Sequence, residues 1–143
     1  MQTATATHRL TPDVVVLAQE AAVPGRGVLP VLSYVLTGRQ PVLVDTGAVR
    51  GRAGFLAALE SVVDPGDLAW IVLTHPDDDH AGALEELLRR APKARLALNW
   101  LSTGKLSASF DPPMPRITWL NPGDALRVTI PMDQRMLIVL PPD

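Results

Sequence analysis

The feature that most limits how this chain can fold is an apolar run that stops in front of a cluster of charge. Ile71-Val72-Leu73 gives way at Thr74 to His75-Pro76-Asp77-Asp78-Asp79-His80-Ala81-Gly82, placing two histidines and three carboxylates within six positions. Ala83-Leu84-Glu85-Glu86-Leu87-Leu88-Arg89-Arg90 follows, with its leucines at helical spacing. The order is strand, polar bend, helix, and all the unusual chemistry lies in the bend.

Imidazole and carboxylate together suit zinc, iron or manganese, and the absence of cysteine leaves no thiolate for a softer site. Pro76 biases His75 towards an extended backbone. In an extended segment His75 and Asp77 share one side of the chain, two positions apart. Where the chain then turns, Asp79 and His80 can swing back towards a neighbouring point. One bend could therefore serve two adjacent metals, the arrangement that activates a water or holds dioxygen between them. A second reading stands beside this one. Acids after a proline are what a helix N-terminus favours, so the cluster could be a well-capped helix start. Three adjacent carboxylates are more than capping needs, however, and they repel one another without a cation.

The stretch Thr74-His75-Pro76-Asp77-Asp78-Asp79-His80-Ala81-Gly82 resembles the signature of the metallo-β-lactamase superfamily, Thr-His-x-His-x-Asp-His followed by a small residue and Gly. Upstream, Val42-Leu43-Val44-Asp45-Thr46-Gly47 is similar to the same family's apolar strand ending in Asp-Thr-Gly, at the family's spacing. Where most members carry the second histidine of the signature, this chain has Asp77. Flavodiiron proteins have a carboxylate (Glu) there and bind two irons, and a harder, more anionic donor set favours iron or manganese over zinc. The resemblance implies that His75 and Asp77 serve one metal, and Asp79 and His80 the other. It implies that Asp45 orients a ligand imidazole, although Asp45-Thr46-Gly47 also reads as a plain turn. It further implies half of an αββα sandwich, an α/β (α+β) fold with a mixed sheet and covering helices.

Composition narrows the classes. A net charge of −2 with no basic cluster points away from nucleic acid and anionic membrane. No apolar run reaches spanning length and Met1–His8 lacks a secretory core, so a cytoplasmic protein is expected. Many of the 14 prolines fall between periodic segments, where they mark turns.

Along the chain, residues 1–11 read as a flexible polar lead-in and 12–143 as one domain. His8, in the lead-in, is expected to be solvated. Strands are expected at Val14–Ala18, Val31–Leu36 and Val42–Val44, with a turn at Gly25-Arg26-Gly27. Gly51–Val63 carries Phe55, Leu56, Leu59 and Val62 on one helical face, with Arg50 and Arg52 facing solvent. Leu68–Leu73 forms the fourth strand, delivering the bend at its carboxyl end, where open α/β sheets place their sites. Gly82, early in the next helix, signals close backbone approach. Further strands are expected at Ala94–Leu98, Ile117–Leu120, Leu126–Ile130 and Met136–Leu140, with a short helix or turn around Trp100–Ser109. Trp100 and Trp119 read as core or rim aromatics.

Family members draw further ligands from their second half, whereas here no histidine follows His80. The chain is thus expected to cover about the first half of the usual domain, as a fragment, a half-size member or one partner of a dimer. An uncovered sheet face favours a homo-oligomer, with a dimer the simplest case. Three functions follow. The first is a metal-dependent hydrolase of small-molecule substrates with iron or zinc (manganese possible), in which Asp79 helps position a metal-bound hydroxide. The second is a non-haem diiron protein that binds or reduces dioxygen. The third is a non-catalytic module acting through oligomerisation.

Overall fold

In the computed structural model, which describes residues 5–130 and 133–138, the first element departs from expectation. Residues 6–11 are no flexible lead-in. They form strand β1 (Ala6–Thr11), antiparallel to β2 (Val14–Val23), with His8 opposite Val16. A tight turn closes the pair, in which the Thr11 hydroxyl donates to Asp13 Oδ1 at 2.7 Å. All six β1 side chains are exposed, so the strand carries no hydrophobic alternation to reveal it. Residues 1–4 of the expected lead-in lie outside the described residues.

Strand β3 (Gly27–Leu36) pairs antiparallel with the whole of β2 across the turn at Pro24–Arg26, making both strands longer than their apolar runs. Next come β4 (Val42–Val44), helix α1 (Arg52–Glu60), β5 (Trp70–Val72), helix α2 (Leu84–Arg90) and β6 (Arg95–Leu98). Helix α3 (Trp100–Leu106) and β7 (Ile117–Trp119) complete a seven-stranded sheet of order β1-β2-β3-β4-β5-β6-β7. The first four strands are antiparallel, and β4 to β7 are parallel. This is the mixed α/β sheet with covering helices that the resemblance implied. The hairpin β8 (Ala125–Ile130) and β9 (Asp133–Ile138) forms a separate two-stranded sheet. Residues Val139 and Leu140 of the expected last strand lie outside the described residues.

Alternation along the parallel strands sorts the two faces. Leu43, Ile71 and Leu96 point to the helical side, where they pack with Phe55 and Leu59 of α1 and Leu84 and Leu87 of α2, all fully buried. Val42 and Leu36 point the other way and meet Leu126 of β8, with Val14, Val44, Trp70 and Val72 only partly covered around them. Trp100 is exposed at the rim, and Trp119 is half out, its Nε1 donating to Thr103 Oγ1.

Arg116 ties the last turn of α2 to the sheet. Its guanidinium donates to the carbonyls of Leu88, Ala91 and Ala94, two of them near the helix end where intrahelical partners run out. Burial lowers its pKa from the ordinary arginine value.

Two consequences of this topology place the site. The parallel strands bring the carboxyl ends of β4, β5, β6 and β7 to one edge of the sheet. Tyr34 faces Val44, the last residue of β4, so Gly27–Ser33 of β3 and their β2 partners run on past that same edge as a two-stranded ribbon.

Candidate metal centre

The chain leaves β5 at Val72 and enters α2 only at Leu84, so the intervening residues make a long bend at the sheet edge. This geometry decides against the capping alternative. The residue before α2 is Ala83, which makes no side-chain cap, and the acids of the first helical turn are Glu85 and Glu86. Asp77, Asp78 and Asp79 stand outside the helix. The Asp77 carbonyl instead folds the bend on itself, accepting from the amides of both His80 (2.9 Å) and Ala81 (2.8 Å).

The bend sorts its donors into pairs. His75 Nδ1 lies 3.2 Å from Asp77 Oδ2, and His80 Nε2 lies 3.6 Å from Asp79 Oδ2. The two imidazoles tilt towards each other with ring centroids 5.5 Å apart. His75 thus stands beside Asp77, and His80 beside Asp79. Among the described residues, no three His, Asp or Glu side chains close on a single point. Each pair offers one nitrogen and one oxygen.

Asp45 gives the bend its anchor. It follows β4 directly, is buried, and holds a left-handed backbone at φ 65° that non-glycine residues adopt rarely and at a cost of about 1–3 kcal/mol. Its carboxylate is well supplied with donors. Oδ1 accepts from the Thr74 amide at 2.8 Å, and Oδ2 accepts from the Thr74 hydroxyl at 2.6 Å. Oδ2 also lies 2.9 Å from His80 Nδ1. An acceptor at that position fixes the proton on Nδ1 and leaves the Nε2 lone pair free on the Asp79 side.

Both pairs fit a cation. Two donors about 2.1 Å from one metal sit roughly 3–3.5 Å apart at tetrahedral or octahedral angles, which is close to the separations seen here. His75 Nδ1 lies 3.2 Å from both the Asp77 amide nitrogen and Asp77 Oδ2, and the tautomer of the ring decides whether it accepts from the one or donates to the other.

The loop after β4 grips the bend from behind. The Thr46 amide donates to the His80 carbonyl at 2.7 Å, Val49 to that of Asp78 at 3.1 Å, and Gly82 to that of Gly47 at 2.8 Å. At Gly82 a Cβ would lie 2.3 Å from backbone atoms of Ala48 and Val49, the close approach expected of this glycine. Arg52, expected to face solvent, is exposed and also donates from Nε to the Gly82 carbonyl at 2.7 Å. Sequence reasoning missed that contact and missed Gln19, because neither residue lies in a recognisable motif. His8 is exposed on the edge strand β1, four strands away from β5.

Comparison with known proteins agrees with this architecture. Residues 26–126 match a family model described as "Metallo-beta-lactamase superfamily". A type A flavoprotein of Rhodobacter capsulatus is 40% identical over 68 residues, 47% of this chain and 16% of that protein. The anaerobic nitric oxide reductase flavorubredoxin of Salmonella arizonae is 37% identical over 62 residues, 43% of this chain and 13% of that protein. Among solved structures, a variant of a flavo di-iron protein from Thermotoga maritima superposes with a TM-score of 0.79 at 18% identity. That superposition covers 89% of this chain and 35% of the other. The chain therefore spans a small part of the length of these relatives. No helix among the described residues is long and apolar enough to cross a membrane.

Proposed function

Because the chain belongs to the metallo-β-lactamase superfamily, we propose that its bend forms one wall of a non-haem diiron centre that reduces dioxygen or nitric oxide. The observation that carries this reading is the pairing in the bend, one imidazole with one carboxylate twice over. Asp77 stands where zinc-binding members have imidazole. The names of the relatives support the choice of iron over zinc. Bound there, a pair of irons would supply the redox chemistry that such a reduction requires.

The residues divide the work by position. Asp45 keeps the His80 proton on Nδ1 and so presents Nε2 to the metal side. Asp77 and Asp79 contribute negative charge that matches a hard, highly charged cation and disfavours a neutral, softer donor set. Pro76 and the doubly accepting Asp77 carbonyl hold the bend so that both pairs face one edge. Two donors per metal make a weak site by themselves, so the remaining ligands must come from outside this bend. Pairing of two copies through the partly covered sheet face is part of the proposal, as is a cytoplasmic setting.

A second reading, a metal-dependent hydrolase with Asp79 positioning water, is favoured by the superfamily match itself. Metal analysis separates the two. Purification from iron- and zinc-replete culture, followed by mass spectrometry of bound metal, should find iron with an oxo-bridged visible band. The reduced, iron-loaded protein should consume nitric oxide or dioxygen. Zinc together with ester hydrolysis would support the hydrolase instead. Retention of no metal at all would leave a non-catalytic module.

A further inference from the structure

We infer that Gln19, on the ribbon of β2 and β3, is a positioning residue for the metal bend, acting through the loop that follows β4. Gln19 is 3% exposed, an unusual depth for an uncharged amide on a strand that leaves the sheet. Both ends of its amide are used. Oε1 accepts from the Ala48 amide at 2.9 Å, and Nε2 donates to the Gly51 carbonyl at 3.4 Å. These two contacts clamp the loop from the side facing the ribbon.

The opposite side of the same loop holds the bend. Thr46, Gly47 and Val49 exchange backbone hydrogen bonds with His80, Gly82 and Asp78 respectively. Residues 46–51 are therefore a spacer one chain thick, with Gln19 on one side and the carboxylate-histidine bend on the other. Packing leaves the spacer little freedom. Gly47 has φ 72°, and a Cβ there would lie 2.3 Å from Gln19 Oε1. On the other side, a Cβ at Gly82 would meet Ala48 and Val49 at 2.3 Å.

A buried amide that satisfies both its donor and its acceptor is high-stakes, because removing it leaves a backbone N–H without its acceptor. Here that N–H belongs to Ala48, next to Val49, whose amide holds the Asp78 carbonyl, while the Gly51 carbonyl keeps the Phe55 amide at 3.0 Å. Loss of the clamp should therefore loosen the bend before it loosens the core. Of the two contacts the Ala48 bond is the shorter, so the acceptor function of residue 19 matters more than its donor function.

The test uses the full chain and three variants. Gln19→Met keeps the shape and removes both contacts. Gln19→Glu keeps an acceptor for Ala48. Ser33→Ala, on the same ribbon, removes a buried hydroxyl with no hydrogen-bond partner among the described residues. In the metal-free protein, Gln19→Met should speed amide hydrogen exchange at Ala48, Val49 and Gly82 by tenfold or more. The Leu73 amide, bonded to Ala97 in the core, should be unchanged. Gln19→Glu should recover most of the protection, and Ser33→Ala should match the parent. Cobalt(II) titration by visible absorption should show weaker binding for Gln19→Met, by less than the roughly 10- to 100-fold that follows loss of a direct partner of a ligand. Unchanged exchange at the loop would overturn the inference. So would acceleration of Leu73 by the same factor, which would mark Gln19 as a general stability residue. The cobalt arm rests on the metal reading, and a parent chain that binds no cobalt would sink that reading while the exchange arm still decides the role of Gln19.

Discussion

Replacing Asp45 by asparagine isolates what its charge does, because size and backbone are nearly conserved. Asparagine tolerates the left-handed φ of 65° at least as well as aspartate, so no new strain enters there. The amide oxygen can keep the Thr74 N–H bond now made at 2.8 Å. The amide nitrogen, however, replaces the oxygen that lies 2.6 Å from the Thr74 hydroxyl and 2.9 Å from His80 Nδ1. Hydrogen bonds to a charged group are worth about 1.5–3 kcal/mol and neutral ones about 0.5–1.5 kcal/mol. With three bonds downgraded or reversed around a buried group, a net loss of about 2–3 kcal/mol is expected, measurable by urea denaturation of the metal-free chain. The reversal also forces a bare Nδ1 on His80 and moves its proton to Nε2, the nitrogen facing Asp79. Nitrogen-15 shifts of the imidazole report that tautomer directly, and metal affinity should fall about 10- to 100-fold. A variant that loses less than about 0.5 kcal/mol, or that keeps the parent tautomer, would refute the orienting role of Asp45.

Further tests separate packing from chemistry. Gly82→Ala should cost about 2–3 kcal/mol or more, since its Cβ would lie 2.3 Å from backbone that cannot rotate away. Gly104→Ala, inside α3 with nothing within 4 Å, should instead gain about 0.5–1 kcal/mol, and paired thermal melts would compare the two. Arg116→Met removes the side-chain donor from the carbonyls of Leu88, Ala91 and Ala94, of which Ala91 keeps the Ala94 amide at 3.1 Å, a loss of about 2–3 kcal/mol by chemical denaturation. For Glu86 the Arg89 guanidinium, then that of Arg90, lowers the carboxyl below its ordinary value of 4.5. A lowered folded pKa means stability that is present above 4.5 and lost as pH falls through the lowered value. The gap in melting temperature between parent and Glu86→Gln should therefore close on acidification, and a gap that widens would contradict the pairing.

Much of the fold was legible because β4, β5 and β6 are short apolar runs covered on the helical side, and the leucines of α2 repeat at helical spacing. The bend was legible because its residue types are costly to place together without a purpose. What escaped notice did so for physical reasons. Strand β1 is exposed along its whole length, so its pairing leaves no apolar alternation in the sequence. The long β2–β3 ribbon extends through Glu20 and Pro30, residues that patterning alone assigns to a turn or loop. The helix after the bend starts later than its composition suggests, because the loop after β4 takes the amides of Gly82 and Ala83 that a helix would otherwise use. Gln19 and Arg52 act on backbone atoms distant in sequence, and no local pattern encodes such a contact.

The most direct test of a metal centre at the bend is anaerobic titration of the full chain with iron(II), followed residue by residue in proton–nitrogen correlation spectra. Binding at the bend predicts paramagnetic broadening centred on His75, Asp77, Asp79 and His80, reaching Asp45 and sparing His8. Broadening centred on His8, or an unchanged spectrum at millimolar iron, would contradict it.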